Sequence, residues 1–442
     1  MDGITGKVVL TLTERYVNSL ADKVASGIKF ERLTRMEDAT NSKVEKAGLN
    51  IRIPFCALRC AYCALPGQTY DPRAATAFLN GLYVELGIYA ESLGGVKIDR
   101  VYLSGGTPSL LHKEIPTILE IVEDRFSACK NVAIEASPTD LTPEILESLA
   151  ASGVSQISIG VQTFDERMLR DVLNRNVRKE QMIKTLDQVM ESGFDYVNMD
   201  LMFSLPGQSE KGLAKDLETA IELGVQGVST YPLMLLPYTP MTKKLESQGV
   251  DVSTYQRASE SQQYLTIVNR LREDGYKLRT LWSFSKNPEA YEGPYEHSNF
   301  LGIGPKAWGM LGDKMTLNVP NVFDYIRRLE EGFLPIFAYS PVKDYPVARL
   351  ARHLYYGGVS SSELEKLARE DGQVAKYVLL MRAFRLAGRN SDGLYLRDKA
   401  LAYGSSATKK IAMATLTKID ETMRSFSPSE PSIDTPPAIV PA

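Results

Sequence analysis

Cys56, Cys60 and Cys63 fall in the run Ile53-Pro-Phe-Cys-Ala-Leu-Arg-Cys-Ala-Tyr-Cys63, a C-x3-C-x2-C spacing. Thiolates are soft ligands that suit iron–sulfur clusters and zinc. Three of them can hold three corners of a cubane cluster. The fourth iron then keeps no protein ligand, which is the open position that catalytic metal sites use. A structural zinc site is the plainer alternative, but it wants a fourth Cys or His close by. The nearest histidine is His112. The remaining cysteine, Cys129, lies in Phe126-Ser-Ala-Cys-Lys and reads as an ordinary thiol. A disulfide framework suits short secreted chains rather than one of 442 residues with four cysteines.

The elements that position these thiols follow from the hydrophobic pattern. Short apolar, β-branched runs occur at Ile51–Ile53, Arg100–Leu103, Val132–Ile134, Ser155–Ile159, Tyr196–Met202 and Val225–Leu233. Between them lie amphipathic stretches at 73–93, 113–125, 141–152, 165–193 and 209–223. This alternation predicts βαβ units and a parallel sheet, curled by right-handed crossovers into a partial or full (β/α) barrel. In such folds chemistry gathers at the C-terminal ends of strands. The cysteines follow the first strand directly, so the loop is expected at the barrel mouth. After Pro240 the alternation weakens, a long helix is expected over 252–274, and 340–426 reads as mostly helical with one strand pair near Gly393–Arg397. The expected domains are a lead-in at 1–47, a barrel domain at 48–310, a smaller helical domain at 311–426, and a Ser/Pro-rich disordered tail at 427–442.

Composition is that of an ordinary globular protein: 44% hydrophobic, 24% charged, net charge −3. No basic field points to nucleic acid. No apolar run is long enough for a membrane span, and the start lacks a signal peptide's order. A cytoplasmic location is expected, where thiols stay reduced.

Polar residues cluster at the expected strand ends. Ser104-Gly105-Gly106-Thr107-Pro108 follows the second strand; adjacent glycines allow close backbone approach and expose N–H groups. Glu135 follows the third, Gln162 the fourth, and Asp200 the fifth, with Arg175 in Leu173-Asn-Arg175-Asn. An amide, a guanidinium and carboxylates around one rim could hold a zwitterionic amino acid joined to a ribose. Each residue is also explicable as a structural or surface group.

The C-x3-C-x2-C loop with Tyr62 resembles the radical S-adenosylmethionine (SAM) superfamily. Ile53-Pro-Phe-Cys, Ser104-Gly-Gly-Thr-Pro-Ser, Ser158-Ile-Gly-Val-Gln-Thr-Phe and Asp200-Leu-Met-Phe-Ser-Leu-Pro-Gly-Gln resemble its coproporphyrinogen III dehydrogenase-like branch, in order, across about 50–310. The resemblance implies that Cys56, Cys60 and Cys63 ligate a [4Fe–4S] cluster and that SAM binds the open iron and is cleaved by one electron. It implies that Gly105 and Glu135 hold this SAM. Tyr62, Gly106, Thr107, Gln162, Arg175 and Asp200 match positions around two SAM molecules, with Met234 and Trp308 near two further contacts. An external one-electron reductant such as flavodoxin or ferredoxin is implied, and a monomer is expected.

Departures from the branch bear on the activity. The dehydrogenases carry a cysteine where this chain has Leu65, a tyrosine at Asn50, and a histidine at Arg52. The His-Asn-x-x-Tyr-Trp signature of the haem chaperones is replaced by His297-Ser-Asn-Phe. What then remains is the class C methyltransferase and cyclopropanase group. The expected function is transfer of a methyl or methylene group from SAM to an unsaturated carbon of an aromatic or heteroaromatic small molecule. The alternative is a haem-binding chaperone, or an anaerobic haem- or porphyrin-modifying protein. Tyr231, Tyr238 and His297 are candidate bases by type alone. Trp282, Phe284, Tyr291, Tyr295 and Trp308 could face a flat substrate, though core packing is the commoner role.

Overall fold

The computed structural model describes residues 19, 21–22, 24–33, 44–64, 67–126, 131–252, 254–255, 257–288, 299–341 and 346–426. The chain divides into two compact units. The cysteine unit comprises Lys29–Met199, Ala290–Val342 and Lys418–Ala442; the second unit comprises Met1–Ile28, Asp200–Glu289 and Lys343–Thr417. The class is mixed α/β, with a large sheet that is parallel through its centre and a helical C-terminal part.

In the cysteine unit the parallel strands stand in the order Phe300–Ile303, Lys46–Ile53, Lys97–Gly105, Val132–Ala136, Gln156–Gln162. Leu49, Ile51, Ile53, Val101, Leu103, Ile134, Ile157 and Ile159 are buried. Strands covered on both faces read as near-continuous apolar runs, which is why these segments were legible. The Pro72–Ser92 helix starts where the Asp71 carboxylate accepts the Ala74 N–H at 2.9 Å, with Pro72 at its first position. Thr142 caps Pro143–Ala151 in the same way.

Two segments differ from expectation. The single helix expected over 165–193 is two, Glu166–Asp171 and Lys179–Glu191. The break at Leu173-Asn-Arg175 places Asn174 at φ +57°, a left-handed conformation that asparagine tolerates. Second, strands continue past residue 311: Trp308–Leu311, Lys314–Asn318 and Ile336–Pro341 form an antiparallel run beside Phe300–Ile303. Strands this short carry little periodic signal.

In the second unit, Asp200–Phe203 completes the Tyr196–Phe203 strand, and Gly227–Pro232, Ser283–Ser285 and Lys277–Thr280 follow in that order. Helices Pro346–Tyr355, Ser361–Glu370 and Gly372–Ala383 surround a core of Val347, Leu350, Val359, Leu367, Val374 and Leu394. Where a strand pair is expected near 393–397, Gly393–Leu396 is the centre of a three-stranded sheet. The tail expected at 427–442 lies outside the described residues.

A buried carboxylate ties the cysteine unit together. Glu85, fully buried on the Pro72–Ser92 helix, accepts from the Tyr325 hydroxyl at 2.7 Å, the Gly304 N–H at 2.8 Å and Asn318 Nδ2 at 3.0 Å. Burial outweighs these hydrogen bonds and pushes its carboxyl from 4.5 up to about 7. Between those two values the native state binds more protons than the unfolded chain, so stability falls as pH rises. The contribution is fully present below about pH 4.5 and is lost as pH passes about 7; its size is about 3 kcal/mol. Glu85→Gln keeps the shape and removes the titration. Urea unfolding at pH 5 and pH 8 should show the wild type losing stability relative to the variant over this interval. Parallel pH dependence in the two proteins would contradict the assignment.

Candidate functional site

The cysteine loop begins where the Lys46–Ile53 strand ends. Its backbone continues the ladder with the neighbouring Lys97–Gly105 strand: the Gly106 N–H donates to Ile53 O at 2.8 Å and the Thr107 N–H to Phe55 O at 2.7 Å. A small parallel pair, Phe55–Cys56 with Gln68–Thr69, closes the base of the loop. Its far side is held by the break between the two helices, where the Ala61 N–H donates to Leu173 O at 3.2 Å and Asn174 Nδ2 to Arg59 O at 3.0 Å.

Glycine is required at two points here. A Cβ on Gly106 would stand 2.1 Å from Phe55 O and 2.9 Å from the Cys56 Sγ, and one on Gly67 would stand 2.8 Å from the same sulfur. Cys56 therefore sits in a cradle that a side chain would fill. Its neighbour Gly105 takes φ +119°, which favours glycine.

The electrostatics around the thiols are cationic. Burial pushes the Cys56 thiol up; the Gly67 N–H, Arg52 and Arg59 pull it down. Lys306, half-buried at φ +59° after the Gly304 turn, is held below the usual ammonium range first by burial and then by Arg52 and Arg59. Asp420 and the Cys63 thiol pull it the other way. Burial, with the Cys60 and Cys63 thiols, pushes the Tyr62 phenol well up, so it stays protonated and hydrogen-bonded to Cys60. Sequence reasoning passed over Arg59 and Lys306 and noted Arg52 only as a departure. A basic residue inside the cysteine spacing could have pointed to Arg59; nothing in the spacing points to Lys306.

The structure brings most of the expected rim to this loop. Glu135 is half-buried, accepting from Tyr102 Oη at 3.2 Å and the Gly105 N–H at 3.3 Å, with Arg52 close enough to oppose the upward push of burial on its carboxyl. Thr107 is buried and leads into the Pro108–Leu111 turn. Arg175 is buried, donating to Gly160 O at 2.6 Å and Ser137 Oγ at 2.9 Å, so its guanidinium staples two strand ends beside Tyr62. Gln162 has φ +73°, and its Nε2 packs 2.9 Å from where a Gly160 Cβ would be. A non-glycine residue in this conformation is strained, and such strain concentrates at functional sites. Trp308 is half-buried, edge-to-face on Phe300 at 5.0 Å.

Asp200 and Met234 belong to the second unit, each half-buried at or after a strand end. Trp282 and Phe284 are buried core there, with Trp282 Nε1 donating to Ser405 Oγ at 2.9 Å. Leu65, Cys129, Tyr291, Tyr295 and His297 lie outside the described residues. Of the other candidate bases, Tyr231 packs edge-to-face on Trp282 at 6.0 Å.

The residues fit a [4Fe–4S] cluster. Three thiols share one braced loop, two glycines leave room at the Cys56 sulfur, and Arg52, Arg59 and Lys306 offset the charge that thiolates bring. Among the described residues no three His, Cys, Asp or Glu side chains converge on a single-ion site. A cubane does not ask for that, because each thiolate binds a different iron.

Fold and site define a class. Residues 50–220 match the radical SAM superfamily, whose members use a [4Fe–4S] cluster and SAM, and these are the cofactors of this chain. The "Heme chaperone HemW" of Bacillus subtilis is 28% identical over 294 residues, covering 64% of this chain and 76% of that protein. The "Oxygen-independent coproporphyrinogen III oxidase" of Escherichia coli is 26% identical over 302 residues, covering 64% of this chain and 65% of that one. The solved coproporphyrinogen III oxidase (HemN) from Escherichia coli shares the fold, with TM-score 0.67 at 20% identity over 84% of this chain and 91% of that one.

These relatives correct the expected activity. Methyl or methylene transfer to an unsaturated carbon is not supported; the relatives are haem chaperones and coproporphyrinogen oxidases. The expectation rested on a few departures, at Leu65, Asn50, Arg52 and His297. Such positions speak against individual activities but carry no positive signal for another. Of these, Asn50 has a structural explanation: it is buried and accepts the Ser104 hydroxyl at 2.7 Å between adjacent strands.

Gly106→Ala should push the loop away from the Gly105–Gly106 turn. Anaerobic reconstitution should then give well under half of the about four irons per chain expected of the wild type, with the far-ultraviolet circular dichroism unchanged. Cys60→Ala should abolish SAM cleavage. Full iron in the first variant, or cleavage in the second, would refute the loop assignment.

Proposed function

We propose that this chain is a haem-handling member of the radical SAM class: it binds haem while carrying a [4Fe–4S] cluster and SAM on the cysteine unit. The supporting observation is the reach of the similarity. The match to the superfamily covers 50–220, whereas the likeness to the heme chaperone runs over 294 residues. The relationship thus extends well beyond the segment that carries the cofactor chemistry. Cys56, Cys60 and Cys63 hold the cluster; Gly105, Gly106 and Glu135 receive the SAM amino acid and ribose; Tyr62, Thr107, Gln162 and Arg175 shape the rim. Asp200, Met234 and Trp308 remain candidates for further SAM contacts, including those of a second molecule. An external one-electron donor supplies the cluster, and the protein acts as a monomer in the cytoplasm. Among the described residues no helix is long and apolar enough to cross a membrane.

A second reading is oxidative decarboxylation of a porphyrinogen, supported by the fold shared with HemN over 84% of this chain. One anaerobic experiment separates the two. The reconstituted protein is titrated with haemin and, separately, incubated with SAM, reductant and coproporphyrinogen III. Stoichiometric haem binding with a Soret band and no porphyrinogen turnover is the expected result. Porphyrinogen decarboxylation without haem binding would favour the second reading. Absence of both haem binding and porphyrinogen turnover would dismiss both readings.

A further inference from the structure

The cysteine loop leaves one side bare. Between Ile51 and Ala64 the exposed residues are Ala57, Leu58 and Arg59, which lie between the first two cysteines. Cys56 itself is buried, with the Gly67 and Gly106 backbones against its sulfur. The break at Leu173 and Asn174 holds the backbone of Ala61 and Arg59. Cys60 and Cys63 are half-buried. The Ala57–Arg59 tip is thus the most accessible part of the described ligand loop.

Its surroundings are apolar at the centre and cationic at the edge. Leu58 is 49% exposed and Tyr70 is 39% exposed. Single exposed apolar residues are ordinary on a protein surface. These two, however, flank one ligand: Leu58 closely follows Cys56, and the Tyr70 N–H donates to Cys56 O at 3.2 Å. Tyr70 is held edge-to-face on Phe55, with ring centroids 5.9 Å apart. From Ile51 to Arg73 the chain carries Arg52, Arg59 and Arg73 against a single acidic residue, Asp71, whose carboxylate is engaged by the Ala74 N–H. Arg59 and Arg73 are exposed, and Lys306 adds a cation close to Arg52 and Arg59. The whole chain has a net charge of −3, so this positive region is local. An apolar and aromatic centre edged by arginine matches the make-up of protein–protein interfaces.

We propose that this face of the cysteine loop is the docking surface for the external electron donor, and that the donor is a small acidic redox protein of the flavodoxin type. In the reading above, on which this rests, single electrons reach a cluster held by the three thiols. Positive charge around the contact favours an acidic partner and speeds its encounter. The apolar centre lets the donor's redox group come up to the ligand loop without intervening water. One electron crosses the contact: the donor's flavin goes from anionic hydroquinone to neutral semiquinone, and the [4Fe–4S]2+ cluster becomes [4Fe–4S]+. No proton or atom is exchanged.

The test follows anaerobic cluster reduction in the full-length, cluster-loaded protein, by bleaching of the visible band and by electron paramagnetic resonance. The reductant is either flavodoxin hydroquinone or dithionite, which is small enough to need no docking surface. Two variants alter the contact, Leu58→Glu and Arg73→Glu. Both positions are exposed, and a glutamate in the first turn of the Pro72–Ser92 helix is electrostatically favourable. Iron content reports loading; if Leu58→Glu loads poorly, Arg73→Glu, outside the ligand loop, decides. With flavodoxin the second-order rate should fall about tenfold or more in each loaded variant, and the wild-type rate should fall comparably from about 20 to 200 mM salt. With dithionite the loaded variants should match wild type. Equal flavodoxin rates in wild type and variants would overturn the docking assignment and leave the cluster reading intact. Equal losses with both reductants would also overturn it, because the substitutions would then act on the cluster. A wild type reduced by dithionite but not by flavodoxin would overturn the choice of partner and the proposal with it. A wild type that neither reduces would refute the cluster reading, and the docking assignment would fall too.

Discussion

The site depends on how closely two strand ends approach. Lys46–Ile53 and Lys97–Gly105 pair in parallel register up to Ile53 and Gly105, and the ladder then continues into the loops through Gly106 and Thr107. Because Gly106 has no side chain, the Phe55 carbonyl and the Cys56 sulfur can lie against its backbone. Every other feature of the cysteine loop is arranged on that contact: the short pair at its base, the brace from Asn174, and the rim residues at the neighbouring strand ends. A sheet fixes its strand ends to within small fractions of a residue spacing, so a loop bonded into the ladder inherits the precision of the core.

Charge follows the same geometry. Burial alone disfavours an ionised thiol and pushes the Cys56 thiol up. Arg52 and Arg59 come from the loop and its strand, and Lys306 arrives from a turn more than two hundred residues later. That turn is held by Glu85, Asn318 and Tyr325, none of which is at the site. A buried carboxylate outside the cysteine loop thus holds the turn that precedes Lys306. The two effects act at different levels: Glu85 holds structure, and Lys306 acts on the electrostatics.

The relatives and the geometry answer different questions. The three thiols, the glycine turn and Glu135 lie within the 50–220 segment that matches the superfamily, and that match carries no information on the substrate. What distinguishes one activity from another must lie elsewhere, in the pockets formed by the rest of the chain. That is why the methyl-transfer expectation failed: it inferred the substrate from small departures near cofactor positions. Asn50, one of those departures, is spent on a buried hydrogen bond to Ser104.

The sequence by itself determined the cysteine loop, the alternating elements that carry it, and the polar residues at the strand ends. These signals are local: ligand spacing, apolar runs of strand length, and Gly-Gly turns each express their physics within a few residues. Only the tertiary structure decided that the 165–193 segment breaks at Asn174, that Arg175 is stapled to Gly160 and Ser137, that Lys306 faces the cysteine loop, and that strands continue beyond residue 311. These features depend on contacts between residues far apart in the chain. No spacing rule anticipates such contacts, because burial and charge act through space and not along the sequence.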